Sequence, residues 1–478
     1  MSQLRLLALP LNKDRRARAI YVVVLVVCQS AFGQSPTLPA AVAPAQGVGR
    51  KVSVTVRVNG VASSEGMVRG SLCPDPLKFP TPDCPYKVDA PARVGSLDLV
   101  FKDIPPGIYA FVTWHDANSD GKTNLPAEGF AFGNNAPVPP TFKGASIEVR
   151  GDTTAEVTLF YMASPTAGAG EKGAPAPQGV VKTDVREGGL YGALYSPTGA
   201  QNLPAIIAIG GSEGGLDVTS SAVKSFSQHG YAVLALAYWR APGLPESLEK
   251  VRLEYFKQAM DWLKTRPEVD AGRIGIVGLS RGAEGALLIA SHYPDIKAVM
   301  AVAPSSHLWP ASSMNLGDRG ATAAPQAAWV LDSKQLPFLT QKAGTSGASS
   351  SNNRAPYERA LDEAPADSES EIPVDRINGP VLLLSGEQDG IWPAGLMAQR
   401  IVARLKAHNF SYGYTHIDYA GAGHLVFLGD PADLSDLSRY RVLSGAMGGT
   451  DADNLAARRD SWSRSLAFFD QALRKPAR

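Results

Sequence analysis

The chain has 478 residues, 44% of them hydrophobic, with 47 glycines and a formal net charge of +1. A length of this order calls for more than one domain, and the apolar share supports a large core. Acids and bases are evenly mixed, so there is no basic face or stripe, and nucleic acid is excluded as an expected partner.

The first predicted element is a leader. NKDRRARA is cationic, AIYVVVLVVCQSAFG is apolar but too short for a comfortable membrane span, and Ala31-Phe32-Gly33 is a small-x-small cleavage signal. The pattern predicts a signal peptide over residues 1–33, no stable membrane span after its removal, and a periplasmic or secreted protein. An uncleaved anchor is the alternative; so is a lipid anchor at Cys28, although Val27 suits that cleavage poorly. Residues 34–50 are rich in Pro, Ala and Gly and read as a linker. In the mature chain only Cys73 and Cys84 remain, close together and in an oxidising compartment, which predicts a disulfide.

From Lys51, KVSVTVRVNG alternates polar and apolar residues, the mark of a strand with one wet face. SLDLVFKDI, GIYAFVTWHD, ASIEVR and TTAEVTLFY are further short strands separated by turn residues, without a helical period. Residues 51–162 are therefore expected to form a small antiparallel β-sandwich. Inside it, DANSDGKTN sets Asp116, Asn118, Asp120 and Asn124 at alternate positions with Gly121 at the bend, like the start of a calcium loop. The twelfth position is Ala127, not a bidentate acid, so an Asx-rich turn is the plainer reading. No cofactor is expected, with a structural calcium ion as the alternative.

A Pro/Gly/Ala-rich linker follows over residues 163–179, and then the pattern changes. PAIIAIG, YAVLALAY, RIGIVGLS, IKAVMAVAP and PVLLLSG are buried-strand runs. SSAVKSFSQHG, SLEKVRLEYFKQAMDWLKTR and AEGALLIASHY lie between them with helical spacing. Strands alternating with helices imply a mostly parallel sheet with right-handed crossovers over residues 180–478. Residues 306–372 break the alternation and read as an insertion or lid. Tyr255, Phe256 and Trp262 fall on the inner face of an amphipathic helix and are expected in the core.

Two Gly-x-Ser-x-Gly matches compete, at Ser212 and at Ser280. A nucleophile elbow requires a strand, a sharp turn and an immediate helix, with small neighbours where the backbone is crowded. Ser280 meets each condition: RIGIVGL precedes it, Gly278 and Gly282 flank it, and Ala283, Gly285 and Ala286 follow. At Ser212 the glycines continue, and Asp217 looks like the cap of the next helix. GGSEGG is better read as the oxyanion loop, with Ser212 or Glu213 giving one amide and Arg281 the other. In this fold the acid and then the base follow the serine. Asp389, in the loop after PVLLLSG, is the expected acid; Glu387 and the acids of the insertion are alternatives. His424, in the AGAGHL loop beyond a strand, is the expected base. His307 comes before Asp389, His408 ends a helix and His416 lies inside a strand. Glu284 is placed to bond within the site or to fix a neighbouring loop. Tyr238, Trp309 and Trp392 are candidates for lining an acyl pocket, against the plainer reading of aromatic core.

GLSRGAEGALLIASHYPDIKAVMAVAPSSHLW, IPVDRINGPVLLLSGEQDGIWP and AGAGH resemble the C-terminal catalytic domain of the acyl-CoA thioesterase and bile acid-CoA:amino acid N-acyltransferase family. The resemblance covers about residues 180–472 and implies an α/β-hydrolase fold, with a small all-β sandwich ahead of it. It implies acyl transfer from a thioester or ester, a small-molecule acyl substrate, and the family's serine, aspartate and histidine at Ser280, Asp389 and His424. Members that transfer acyl groups to amino acids are similar but use cysteine at the nucleophile position, so serine here favours water as acceptor. Residues 51–162 resemble a secreted bacterial sandwich domain of unknown function. The expected activity is thus that of an exported serine hydrolase. An acyltransferase using the same acyl-enzyme, and a non-catalytic binding protein on the same scaffold, are the rivals. Nothing in the sequence sets the oligomeric state.

Overall fold

The computed structural model describes residues 50–76, 78–80, 84–121, 128–136, 140–161, 176–311, 325–340, 354–365, 368–433 and 447–474. The expected leader and residues 34–49 lie outside the described residues, as do Asn124 and most of the linker over 163–179.

The N-terminal strands are β1 (Val52–Val61), β2 (Met67–Cys73), β3 (Tyr86–Pro91), β4 (Gly95–Ile104), β5 (Gly107–Asp116), β6 (Phe130–Phe132), β7 (Ser146–Val149) and β8 (Thr153–Thr158). They form two sheets, β4-β1-β8 and β3-β2-β5-β6, with β7 paired to β5. Alternation does the work: Val54, Val56 and Val58 of β1 and Leu97, Leu99 and Phe101 of β4 turn into one core. The expectation of a wholly antiparallel sandwich needs a correction. β8 runs parallel to β1, because the chain leaves β7 in the other sheet and crosses before it pairs. β2 and β3 were not foreseen. Gly70 stands where a core side chain belongs in β2, since a Cβ there would lie 2.5 Å from Leu99 Cδ1, and this blunts the apolar alternation. Cys73 and Cys84 are joined in a disulfide.

The second region carries β9 (Val180–Val185), β10 (Tyr191–Pro197), β11 (Leu203–Ile209), α1 (Asp217–Val223), β12 (Ala232–Ala237), β13 (Val251–Arg252), α2 (Leu253–Lys264) and β14 (Val269–Leu279). There follow α3 (Arg281–His292), β15 (Ile296–Val302), β16 (Trp329–Leu331), β17 (Lys334–Gln335), α4 (Arg354–Asp362), β18 (Val381–Gly386), α5 (Ala394–Ala407), β19 (Tyr414–Tyr419) and α6 (Asp451–Leu473). Eight strands make one sheet in the order β19-β18-β15-β14-β11-β12-β10-β9. β10 is antiparallel to both its neighbours, and every other pair from β12 to β19 is parallel. This is the α/β-hydrolase order, with helices over both faces. Successive residues serve opposite cores: Ile207 and Ile209 face one, Ile206 and Ala208 the other. Among the described residues no helix is long and apolar enough to cross a membrane.

The helix expected over residues 247–266 starts only at Leu253. Val251 and Arg252 instead pair with Trp329 and Val330 of the insertion. β-Branched Val251 at a sheet edge gains more from a ladder than from an exposed first turn. Asp217 lies inside the first turn of α1 rather than at its cap, which is Leu216.

Candidate active site

β14 ends at Leu279 and α3 begins at Arg281, so one residue makes the whole turn. That residue is Ser280, at φ 56° and ψ −120°, a conformation that costs a non-glycine residue roughly 1–3 kcal/mol. The neighbours explain how it is held. A Cβ on Gly278 would lie 2.1 Å from the Gly282 carbonyl oxygen, and one on Gly282 would lie 2.2 Å from that of Gly210. The Ser280 amide donates to the Val302 carbonyl at 2.8 Å, which ties the elbow to β15.

Two loops from the same end of the sheet meet this serine. Asp389 follows β18, and His424 follows β19. Ser280 Oγ is 2.9 Å from His424 Nε2, and His424 Nδ1 is 2.7 Å from Asp389 Oδ2. The other carboxylate oxygen, Oδ1, accepts from the amides of Ile391 (2.8 Å) and Trp392 (3.2 Å). His424 and Asp389 are buried at 5% and 1% exposure, so solvent competes little for these bonds. With Asp389 accepting a hydrogen bond from Nδ1–H, Nε2 is left as the acceptor for the serine hydroxyl. The other histidines lie elsewhere. His307 Nδ1 bonds Ser306 Oγ at 2.9 Å, His408 stands 3.8 Å from Asp375, and His416 Nε2 bonds Ser385 Oγ at 2.7 Å.

The GGSEGG loop follows β11 and passes beside the elbow: a Cβ on Gly211 would be 3.0 Å from Ser280 Cβ. Glu213 turns its carboxylate back into the loop. It accepts from the Gly211 amide at 2.8 Å and from its own amide, and burial raises its pKa while these bonds and nearby His424 oppose the rise. Of the two amides left open above, that of Glu213 is thus engaged by its own side chain. Among the described residues no hydrogen bond ties up the amide of Ser212 or that of Arg281. Glu213→Ala is expected to lower kcat about tenfold, through loss of a charge-assisted tether, with KM little changed. Glu213→Gln, which keeps an acceptor, loses less; steady-state kinetics on an ester substrate decide.

Arg281 and Glu284 form a buried pair at 2.7 Å. Glu284 Oε1 also accepts from Trp329 Nε1 at 2.7 Å and from the Trp309 amide at 3.3 Å. Arg281 donates to the carbonyls of Trp309 (3.1 Å) and Pro310 (3.0 Å). Glu284 therefore fixes the insertion to α3, the helix that follows Ser280. Burial pushes its pKa up to about 7, against Arg281 and the two N–H donors.

Tyr238 lies beneath the GGSEGG loop, not in an open crevice. Its ring stacks on Trp329 at 5.7 Å, and its hydroxyl donates to Gly210 at 2.8 Å. Trp309 and Trp392 are buried around Tyr357 of α4, and the Trp392 ring lies 6.0 Å from His424. Tyr357 and Trp329 were not singled out in the sequence, since no motif surrounds either. In the calcium-like loop, Asp116 accepts from the amides of Asp120 (3.1 Å) and Gly121 (3.0 Å) and pairs with Arg69 at 2.5 Å. Asn118 and Asp120 bond each other. Among the described residues no group of three or more His, Cys, Asp or Glu is placed to hold a metal ion.

The order of the sheet and the elbow invite comparison with known proteins. Residues 251–475 match the family model described as BAAT / acyl-CoA thioester hydrolase C terminal. Acyl-coenzyme A thioesterase 6 of Mus musculus is 30% identical over 312 residues, which are 63% of this chain and 68% of that protein. The chain belongs to the BAAT / acyl-CoA thioester hydrolase family. Acyl-coenzyme A amino acid N-acyltransferase 1 of Mus musculus is another relative, 31% identical over 301 residues. This member of the family spans 66% of that relative's length, and the alignment takes in 62% of the chain. Ahead of the family region, residues 56–157 match a model described as an uncharacterized protein conserved in bacteria. Among solved structures, dienelactone hydrolase from Anabaena variabilis covers 62% of the chain and 100% of its own, at 16% identity and a TM-score of 0.33.

Proposed function

We propose that the protein is a serine hydrolase that cleaves acyl thioesters or esters through an acyl-enzyme. The continuous chain Ser280 Oγ, His424 Nε2, His424 Nδ1 and Asp389 Oδ2 carries this reading, with bonds of 2.9 and 2.7 Å. His424 Nε2 takes the serine proton as Oγ attacks the acyl carbonyl. Asp389 keeps the ring oriented and stabilises the imidazolium. The Ser212 and Arg281 amides face the charge that develops on the carbonyl oxygen. The thiolate or alkoxide leaves with the proton from His424. Water then gives a proton to His424 and attacks the acyl carbonyl; the bond to Ser280 Oγ breaks as His424 returns that proton to Oγ, and the free acid is released.

An amine acceptor is the second reading, favoured by relatives named amino acid N-acyltransferases. Serine argues for water. An acyl-serine is an oxygen ester and meets amines less readily than the thioester an acyl-cysteine would form. Mass analysis of products from an acyl-CoA or aryl ester, with glycine or taurine present, separates the two. Free acid as the main product supports hydrolysis, and amide as the main product overturns it. Export is part of the proposal. The cationic-apolar leader and the Cys73–Cys84 bond support it, since such bonds persist in oxidising compartments. Outside the cytoplasm CoA is scarce, so the physiological substrate is expected to be another acyl ester or thioester.

A further inference from the structure

The sandwich has no role in the reaction just described, yet it touches the reacting groups' support. The chain returns from β19 through His424 and later passes Met447 to Gly449. Met447 is the joint. Its carbonyl accepts from the His424 amide at 2.7 Å and from the Gly390 amide at 3.1 Å. Gly448 bridges to Asp389, and Gly449 to Ala422. The fit leaves no slack, since a Cβ on Gly448 would lie 1.9 Å from the Gln388 carbonyl oxygen. One short segment therefore sets both the acid loop and the base loop.

The side chains of Met447 and of Leu425, next to His424, pack on an aromatic cluster of the sandwich. Trp114 and Phe142 are partly buried and pack against the same cluster. Behind them Phe79 meets Phe132 and Phe142 edge-on, at 6.1 and 6.2 Å. Phe79 lies between Cys73 and Cys84, so the disulfide closes the loop that carries it. A second link runs to the oxyanion loop. Arg240, whose Cβ is 2.8 Å from the Cβ position of Gly214, feels the charge of Glu128 from the sandwich.

We infer that the N-terminal sandwich is a positioning element of the active site: through Leu425 and Met447 it holds the His424 and Asp389 loops in register with Ser280. This rests on the reading of those three residues as the triad. It gives the sandwich a task in the hydrolase reaction itself. A loop held from outside its own domain keeps the imidazole within reach of the serine, and a misplacement of about 1 Å costs up to a hundredfold in rate.

The test uses the full chain. Trp114→Ala/Phe142→Ala strips two sandwich rings that pack on this cluster, and Leu425→Ala removes a side chain that packs on it from the base loop. Val100→Ser, on a strand face that is 41% exposed, is the control. Labelling of Ser280 by a fluorophosphonate is expected to slow about tenfold or more in each contact variant. All three changes together slow it no further, because they loosen one packing unit. The far-downfield proton NMR signal of the His424–Asp389 bond broadens in the same variants. Trp114→Phe restores both readouts, and the control leaves both as in the wild type. A folded Trp114→Ala/Phe142→Ala protein with wild-type labelling and an unchanged proton signal overturns the inference. Should that double variant fail to fold, Leu425→Ala against Leu425→Met decides on the same readouts. A wild-type protein that takes no label at Ser280 sinks the triad reading itself, and the buttress with it.

Discussion

Ser280→Ala is expected to lower turnover of an acyl ester or thioester by roughly a millionfold, and His424→Ala to do nearly the same. The two together are no worse than either alone, because the residues act as a unit. The residual rate over water is expected to come from the proposed oxyanion amides and from substrate binding. Ser212→Ala is the informative contrast. If Ser212 contributes its backbone amide, loss of the hydroxyl leaves kcat near wild type. If Ser212 were the nucleophile, the result would be reversed, and a fluorophosphonate would label the peptide containing Ser212. Structure argues for the first outcome. Ser280 has the strained φ of 56° and stands 2.9 Å from His424 Nε2, while the Ser212 loop has no helix directly behind it. Asp389→Asn is expected to fall between, since the imidazole keeps its place but loses the acceptor that orients it.

Much of this arrangement was legible in the chain, for identifiable reasons. Buried parallel strands read as unbroken apolar runs, so β11, β12, β14, β15 and β18 stood out. Ser280 was separable from Ser212 because an elbow places demands on its glycines, and Gly278 and Gly282 meet them at backbone contacts of 2.1 and 2.2 Å. Asp389 and His424 could be nominated from their positions after strands, but only folding brings them within 2.7 Å of each other. β9 and β10 were missed. β9 alternates exposed and half-buried residues at the edge of the sheet and lacks an apolar run. The choice between the Ser212 and Glu213 amides was beyond the sequence, since it depends on where the Glu213 carboxylate turns. The joint at Met447 left no trace at all. It works through a backbone carbonyl, which every residue has, and through packing on residues of a distant part of the chain.

Glu284→Leu is expected to destabilise the protein by about 3–5 kcal/mol, because it leaves the Arg281 guanidinium buried without its counter-charge. Urea unfolding of the full chain measures this, and turnover should fall with it, since Arg281 directly follows Ser280. The pH dependence is the sharper test. Burial raises the Glu284 pKa from 4.5 to about 7, so the folded protein holds this proton where the unfolded chain has released it. Stability from this group is therefore fully present below pH 4.5 and falls as pH rises towards 7, then stays level. A displacement of that size corresponds to about 3 kcal/mol at most. Glu284→Gln keeps an acceptor for Arg281, Trp329 and Trp309 but cannot titrate. The wild type should accordingly lose stability relative to Glu284→Gln between pH 5 and pH 8. If the difference instead stays flat over that range, attraction to Arg281 outweighs burial, and Glu284 is ionised throughout. Either outcome leaves the geometry intact: one carboxyl joins the helix behind Ser280 to Trp309 and Trp329 of the insertion. What the outcome decides is whether that joint loosens as the pH rises into the range where His424 must be neutral to act as a base.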